Sequence, residues 1–420
     1  MNALWNRVRW RVAVVAATLL WLLALIGREG AWAWVGIEHY SLYFVDTMAV
    51  LSAGQAWHAG LDIYQNNPFD PFGRPHVYGP WWLLTGPMGL TIADAFWIGP
   101  LLGMAFLVAA AAVLGPRRPA AAGVAWLLLA SPQVLLALER GNNDLVVFIL
   151  LALAGGLLAR PRGPALLGVG LFGLAAALKM YPLAALPALV ARPVPRRAAL
   201  LWLGVGAGGC LLVFLLWRTD FTRALATAPR PWSVFTYGLK VLSFMWMWQT
   251  RPRAILCLAV VFGAALAGVA VWLRRRAATL WVAVPTTGTV AAWFVAGGSS
   301  WCFCYLANTN YVYRASLLLL PARLWLDQMN GPDRPVARAA RELLAACIVT
   351  LWLFPLKSWC SGHLGPSSPA DLGLAVILGL EQALVIAVTA ALLISLTGWL
   401  WRRLRARPAD SASPAPSLCG

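Results

Sequence analysis

The chain has 420 residues, of which 61% are hydrophobic and only 11% charged, with a formal net charge of +18. A soluble domain carries roughly 25% charged residues, so this composition excludes an ordinary soluble globular protein and places most of the chain in lipid. The 24 tryptophans agree with that reading, because indoles favour the membrane–water interface.

In chain order, the first apolar stretch, RVAVVAATLLWLLALIG (11–27), follows the basic start MNALWNRVRWR. The IGREGAWAW that comes next is a poor small-residue cleavage site, so the stretch reads as a retained signal anchor. At about 20 residues per crossing, further spans fall near 94–114, 121–138, 144–159, 164–178, 198–217, 254–273, 278–297, 313–328, 340–356 and 372–400. A shorter run at 181–191 crosses or re-enters. The pattern predicts an all-α integral membrane bundle of about twelve crossings over residues 1–400. The Pro-, Ser- and Ala-rich end, 401–420, is too poor in core-forming residues to fold and reads as a disordered cytoplasmic tail.

The charges test an orientation with the N-terminus inside. The loops at 1–11, 115–120, 160–163, 191–197, 274–277, 327–341 and 401–420 then hold 20 of the 33 Lys and Arg against Asp327, Asp333, Asp410 and, at the boundary, Glu342, net +16. The basic excess is therefore the positive-inside bias and not a nucleic-acid surface. Both termini are expected in the cytoplasm, and all four histidines (His39, His58, His76, His363) on the outer side.

Polar chemistry collects on that outer side. The loop at 39–83 is too polar to span and too aromatic for an idle linker. Its part at 42–58 has helical periodicity and is expected as an interfacial helix carrying Asp46. A partly desolvated carboxylate there suits general-base work, although a solvated helix acid would look the same. In ALERGNNDLVV (137–147), Gly141 to Asp144 stand at the mouth of a span; Asn142 or Asn143 suits a helix cap, and Asp144 a helix N-terminus. Lys179, before the helix-breaking Pro182, suits a phosphate or snorkelling to the interface. Asn308, Asn310, Tyr311, Tyr313 and Arg314 open another span, and an arginine there runs against the positive-inside bias. The basic, aromatic segment 218–253 either lies on anionic headgroups or lines the access of a lipid-linked phosphate.

Nucleotide and zinc motifs are missing: there is no phosphate-cradling loop, no dinucleotide fingerprint and no His-Glu-x-x-His. No Asp-x-Asp or Glu-x-Asp pair stands outside, so neither a metal nor another cofactor is expected. Cys302, Cys304 and Cys360 face the outer side, where a disulfide and free buried thiols are both compatible with the sequence.

An outer-loop aspartate, then Gly60-x-Asp62-x-Tyr64, Tyr78-Gly79-Pro80, Gly141-Asn142 and Lys179-x-x-Pro182 occur in that order. Together with NYVYRASLLLLP (310–321), this resembles the polytopic GT-C glycosyltransferases of family 87, which include polyprenyl-phosphomannose-dependent mannosyltransferases. The resemblance covers residues 40 to 320. It implies a GT-C-like fold in a bacterial inner membrane, an extracytoplasmic site, a polyprenyl-phosphate-linked sugar donor (mannose-like favoured) and a glycan or glycolipid acceptor. It also implies inversion at the anomeric carbon without a nucleotide sugar or a metal. The family's catalytic aspartate falls on Asp46. The Tyr-Pro-Pro motif is met by Tyr78 and Pro80 with Gly79 between them, and the Gly-Gln-x-Asn motif only in part by Gly141, Asn142 and Asp144. On this reading Lys179, Arg140 and Arg314 clamp the donor phosphate, while His58, Asp62, Tyr64, Tyr78, Asn142, Asn143 and Asp144 bind sugar or acceptor. The competing class is a transporter or flippase of a lipid-linked saccharide, for which Asp94, Gln133 and Glu381 are the candidate mid-membrane groups.

Overall fold

The computed structural model describes residues 2–39, 42–160, 163–228, 236–239, 251–307, 310–363 and 369–405. It is built almost wholly of α-helices: α1 (Asn2–Ile26), α2 (Ala31–Trp34), α3 (Val45–His58), α4 (Ala95–Leu114), α5 (Pro119–Leu129), α6 (Pro132–Glu139), α7 (Asp144–Leu158) and α8 (Ala165–Leu178) come first. After a 3-10 helix (Tyr181–Ala191) follow α9 (Arg196–Leu216), α10 (Arg218–Thr227), α11 (Pro252–Val282) and α12 (Thr289–Ala307). A second 3-10 helix (Val312–Leu318) then leads into α13 (Leu319–Gln328), α14 (Arg334–Trp352), α15 (Phe354–Gly362) and α16 (Pro369–Arg405). Two short strands, β1 (Thr236–Tyr237) and β2 (Asn310–Tyr311), pair antiparallel with Thr236 opposite Tyr311.

Among the described residues, seven helices are long and apolar enough to cross a membrane, or eight if the bent pair α5–α6 is one span. About twelve crossings were expected. The difference lies in α7, α8 and the first 3-10 helix, whose 15, 14 and 11 residues fall short of the roughly 20 a straight span needs. It also lies in the span expected at 313–328, which is split into the second 3-10 helix and the 10-residue α13. Boundaries shift too. The segments expected at 254–273 and 278–297 become α11, which runs on to Val282, and α12, which starts only at Thr289, because Pro285 and Gly288 interrupt the helix between them. Helix α16 continues through 401–405, so the expected tail loses its first five residues to a helix; 406–420 lie outside the described residues. Asn308 and most of 229–250 also lie outside them. Cys302, Cys304 and Cys360 are free thiols, each buried.

Helix α12 forms the centre, packed against α7, α13, α16 and the first 3-10 helix. Close approach rests on small residues, as is usual between membrane helices: a side chain on Gly297 would collide with Leu320, and one on Gly398 with the Trp281 backbone.

The bundle has two unlike ends. At one, arginines from different elements cap backbone carbonyls: Arg323 of α13 donates to the carbonyls of Val113, Leu114 and Gly115, Arg192 to Gly163, and Arg403 of α16 to Val190 and Val194. These contacts join loops that the charge count assigned to a single side. Antiparallel α7 and α8 carry the chain from that end to the other, where Asp144 opens α7 and Lys179 closes α8.

Candidate active site

Asp46 is placed by a backbone splice between α3 and the α6–α7 junction. Phe44, at φ 60°, turns the chain into α3, and the freed N–H groups of the first turn find partners in the junction. Phe44 N–H donates to Glu139 O (2.9 Å), Asp46 N–H to Arg140 O (2.9 Å), and the Thr47 hydroxyl to Gly141 O (2.7 Å). Gly141 has φ 55°, and a Cβ there would collide with the Thr47 hydroxyl. This junction thus calls for a glycine on both conformational and steric grounds. Helix α3 was expected as an interfacial helix; most of its residues, Asp46 among them, are buried within the protein.

The splice loads the Asp46 carboxylate with donors. Arg140 binds it in a fork, Nη2 to Oδ1 at 2.8 Å and Nε to Oδ2 at 3.0 Å. Asn142 Nδ2 adds 2.5 Å to Oδ2, and Arg74 Nη1 stands 3.5 Å from Oδ1. Arg74 is itself fixed by Asp70 (2.9 and 3.0 Å) and by the Val45 carbonyl (2.6 Å). Burial works to raise the Asp46 pKa, but the Arg140 fork, with Arg74 and the Asn142 amide, outweighs it and holds the carboxyl below the usual aspartate value.

Asn142 also reaches the second carboxylate, because its Oδ1 accepts the Asp144 N–H (2.8 Å). Asp144 Oδ1 accepts from Lys179 Nζ and from the Tyr181 hydroxyl (2.8 Å). Arg314 Nε lies 3.7 Å from Asp144 Oδ2, an ion pair too long for a hydrogen bond. Lys179 is held in register by Gly79, whose N–H donates to Leu178 O (2.9 Å). A Cβ on Gly79 would collide with the Ala177 carbonyl, so a proline is barred there by both space and the lost donor. The Tyr78 ring sits 5.2 Å from Lys179 Nζ, and Tyr181 lies under Arg314 at 5.1 Å.

Two features distinguish this cluster from a closed ion-pair network. The side chains of Arg74, Arg140 and Arg314 keep 29%, 22% and 24% of their surface exposed, whereas Asp46 keeps 4% and Asp144 none. The face left open is therefore cationic. In addition, Asp144 Oδ2 and both amide atoms of buried Asn143 have no hydrogen-bond partner among the described residues, a cost that a bound ligand would remove.

Of the residues singled out in the sequence, Asp46, Tyr78, Arg140, Asn142, Asn143, Asp144, Lys179 and Arg314 lie in or beside this cluster. Asn310, whose Oδ1 accepts from Arg314, and Tyr313, whose ring lies 6.0 Å from Lys179 Nζ, adjoin it, but His58, Asp62 and Tyr64 do not join it directly. His58 is exposed at the far end of α3, about 18 Å from Asp46 along the helix axis. Asp62 pairs with Arg223 at the surface (2.6 Å), and Tyr64 donates to Asp220 of α10 (2.9 Å). Tyr64 connects to the site only through rings: His76 is 5.9 Å from Tyr64 and 5.9 Å from Tyr78. Sequence reasoning missed Arg74, Tyr181 and the His39–Glu139 pair (2.7 Å). Arg74 carried the same signal as Arg314, a cation on the side that the charge bias avoids. Among the described residues no three His, Cys, Asp or Glu side chains converge as metal ligands.

A family model, that of glycosyltransferase family 87, matches residues 76–297, just over half of the chain. The match includes Tyr78, Arg140, Asn142, Asp144 and Lys179, while Asp46, Arg74 and Arg314 reach the cluster from outside it. No curated protein matches the chain.

Proposed function

Because the chain belongs to glycosyltransferase family 87, we propose that it moves a mannose-like sugar from a polyprenyl-phosphate donor to an extracytoplasmic glycan or glycolipid, with inversion. The observation that carries this reading is the open cationic face over two buried carboxylates. A glycosyl phosphodiester arrives with one negative charge, and its phosphate gains a second as the anomeric C–O bond breaks. Arg74, Arg140, Lys179 and Arg314 are placed to stabilise that gain, which is where electrostatic catalysis has most to offer.

Asp46 is the base. It takes the proton of the acceptor hydroxyl as that oxygen attacks the anomeric carbon, and polyprenyl phosphate departs to the cationic face. Both Asp46 oxygens accept hydrogen bonds from Arg140 and Asn142. A phosphate that draws Arg140 and Arg74 toward itself frees a lone pair for the acceptor. Asn142, Asn143 and Asp144 then orient sugar hydroxyls, with the unpartnered Asn143 amide as the clearest vacancy.

The transporter reading asks for free polar groups within the membrane, and its three candidates are engaged. Asp94 accepts from Thr91 (2.8 Å), Gln133 donates to Thr350 O (3.2 Å), and both oxygens of Glu381 are held by Lys357 (2.8 Å each). The deciding experiment incubates membranes with radiolabelled polyprenyl-phosphate sugars and lipid extract from cells lacking the protein. Labelled product from the wild type alone supports the transferase; no product across several donors refutes it. A tag at residue 66 found on the cytoplasmic side would overturn the sidedness.

A further inference from the structure

We propose that Trp32, His39 and Tyr43, anchored by Glu139, form a subsite for hydroxyl groups of the acceptor sugar; the proposal rests on the transferase reading above. Glu139 is the last residue of α6, its side chain 2% exposed, and its Oε1 lies 2.7 Å from His39 Nδ1. An ionised carboxylate only accepts, so Nδ1 carries the hydrogen, and in the neutral ring Nε2 then presents a lone pair. The His39 side chain is 23% exposed, and no described residue takes up Nε2.

Tyr43 supplies the complement. Its ring lies 4.3 Å from that of His39, and its hydroxyl oxygen accepts from the Trp32 indole N–H at 3.2 Å. Indole N–H groups only donate, so the phenolic hydrogen points to another partner, and none is found among the described residues. A fixed acceptor, His39 Nε2, and a fixed donor, the Tyr43 hydroxyl, thus stand side by side at a partly open edge. A sugar hydroxyl needs both, and two neighbouring hydroxyls can share the pair.

The position selects the acceptor over the donor. Glu139 and Arg140 are consecutive, and the carbonyls of these two residues receive the N–H groups of Phe44 and Asp46. The Glu139 side chain turns to His39, and that of Arg140 to Asp46. Asn142 connects Asp46 in turn to Asp144 and Lys179. The hydroxyl pair thus borders the base through the adjoining residues 139 and 140, whereas Lys179 and Arg314 are reached from the base only by way of Asn142 and Asp144. This arrangement suits transfer from a phosphate donor to a hydroxyl acceptor.

The test uses the full chain in lipid nanodiscs, with methyl α-mannoside as surrogate acceptor and polyprenyl-phosphate mannose as donor. Tyr43→Phe removes one oxygen and keeps the ring; His39→Asn removes the imidazole. Each is expected to raise the KM for methyl α-mannoside about tenfold, the effect of losing one hydrogen bond of about 1.4 kcal/mol. The KM for the donor stays at the wild-type value, and kcat changes less than about threefold. An unchanged acceptor KM in both variants, or a rise confined to the donor KM, overturns the proposal. Saturation-transfer NMR of methyl α-mannoside without donor keeps the two readings apart. A wild type that binds the glycoside more strongly than Tyr43→Phe yet transfers nothing keeps the subsite and sinks the transferase. Equal binding by both proteins sinks the subsite.

Discussion

Two buried charge assemblies in this bundle are built on opposite plans. Lys357 of α15 and Glu381 of α16 form a one-to-one pair, 0% and 1% exposed, with the ammonium bonded to both carboxylate oxygens. The cluster around Asp46 and Asp144 instead gathers Arg74, Arg140, Lys179 and Arg314 against these two acids and Asp70, exposes the guanidinium edges and leaves polar atoms unpartnered. A closed pair offsets its own desolvation and offers nothing to a ligand. A cluster with surplus cation and vacant hydrogen-bonding atoms is stable only because its cationic face reaches solvent, and that same face receives an anion. Stoichiometry and exposure therefore separate a structural ion pair from a binding site, even where both are deeply buried.

The largest effect expected from this contrast is at Asp46. Asp46→Asn keeps the shape and the contact with Asn142 but loses the base, so transfer should fall at least about a thousandfold while the protein still inserts and purifies. Full activity in radiolabel transfer would remove Asp46 from the chemistry. At the closed pair the pattern should invert. Lys357→Met strands Glu381 and should cost about 3–5 kcal/mol of stability in detergent. The double variant Lys357→Met, Glu381→Leu should recover most of it, with activity per folded molecule unchanged throughout. A loss of transfer in the stable double variant would mean that the pair takes part in function after all.

The difference between the two assemblies was only half legible in the sequence. Helical character and the grouping of Asp46, Asn142, Asp144, Lys179 and Arg314 at one end of the bundle followed from apolar runs and charge bias, which are local or additive signals. Arg74 escaped because it sits in an irregular loop, where no periodicity states what a side chain faces; only the Asp70 and Val45 contacts aim it at Asp46. Glu381 was visible as an acid in an apolar run, but its partner Lys357, 24 residues earlier, becomes its neighbour only through the packing of α15 against α16. Asp62 and Tyr64 were grouped with the site by motif order and His58 by the outer loop it shares with Asp46, and neither signal reports that α3 carries His58 away from Asp46. The bounds of α7 and α8, expected at 144–159 and 164–178, were legible to within one residue; what the apolar runs did not report is that helices of this length are too short for a straight crossing.

His76 tests burial without pairing. Its ring is 2% exposed. Burial pushes its pKa down to about 4, against weaker support from the Gly79 and Tyr78 backbone. The folded protein therefore holds a neutral ring while the unfolded chain takes up a proton below its ordinary value near 6.5. Since the unfolded state then binds more protons, stability falls as pH drops from about 6.5 to about 4, by at most about 3 kcal/mol, and this contribution is flat outside that window. His76→Gln should shallow the fall of melting temperature over that range; an identical slope would assign the pH dependence elsewhere.

Arg314 makes the finest cut between the two plans. Its nearest carboxylate oxygen is 3.7 Å away, and Asp144 keeps Lys179 and Tyr181 when it is gone. Arg314→Gln should therefore shift the melting temperature little, in contrast to Lys357→Met. If its guanidinium instead waits for the donor phosphate, the same substitution should raise the donor KM about tenfold, or about 1.4 kcal/mol, and leave the acceptor KM alone. That donor effect should weaken with salt, because the partly exposed edge is screened as the buried pair is not. A large stability loss with an unchanged donor KM would move Arg314 into the class of Lys357 and reduce the cationic face to Arg74, Arg140 and Lys179.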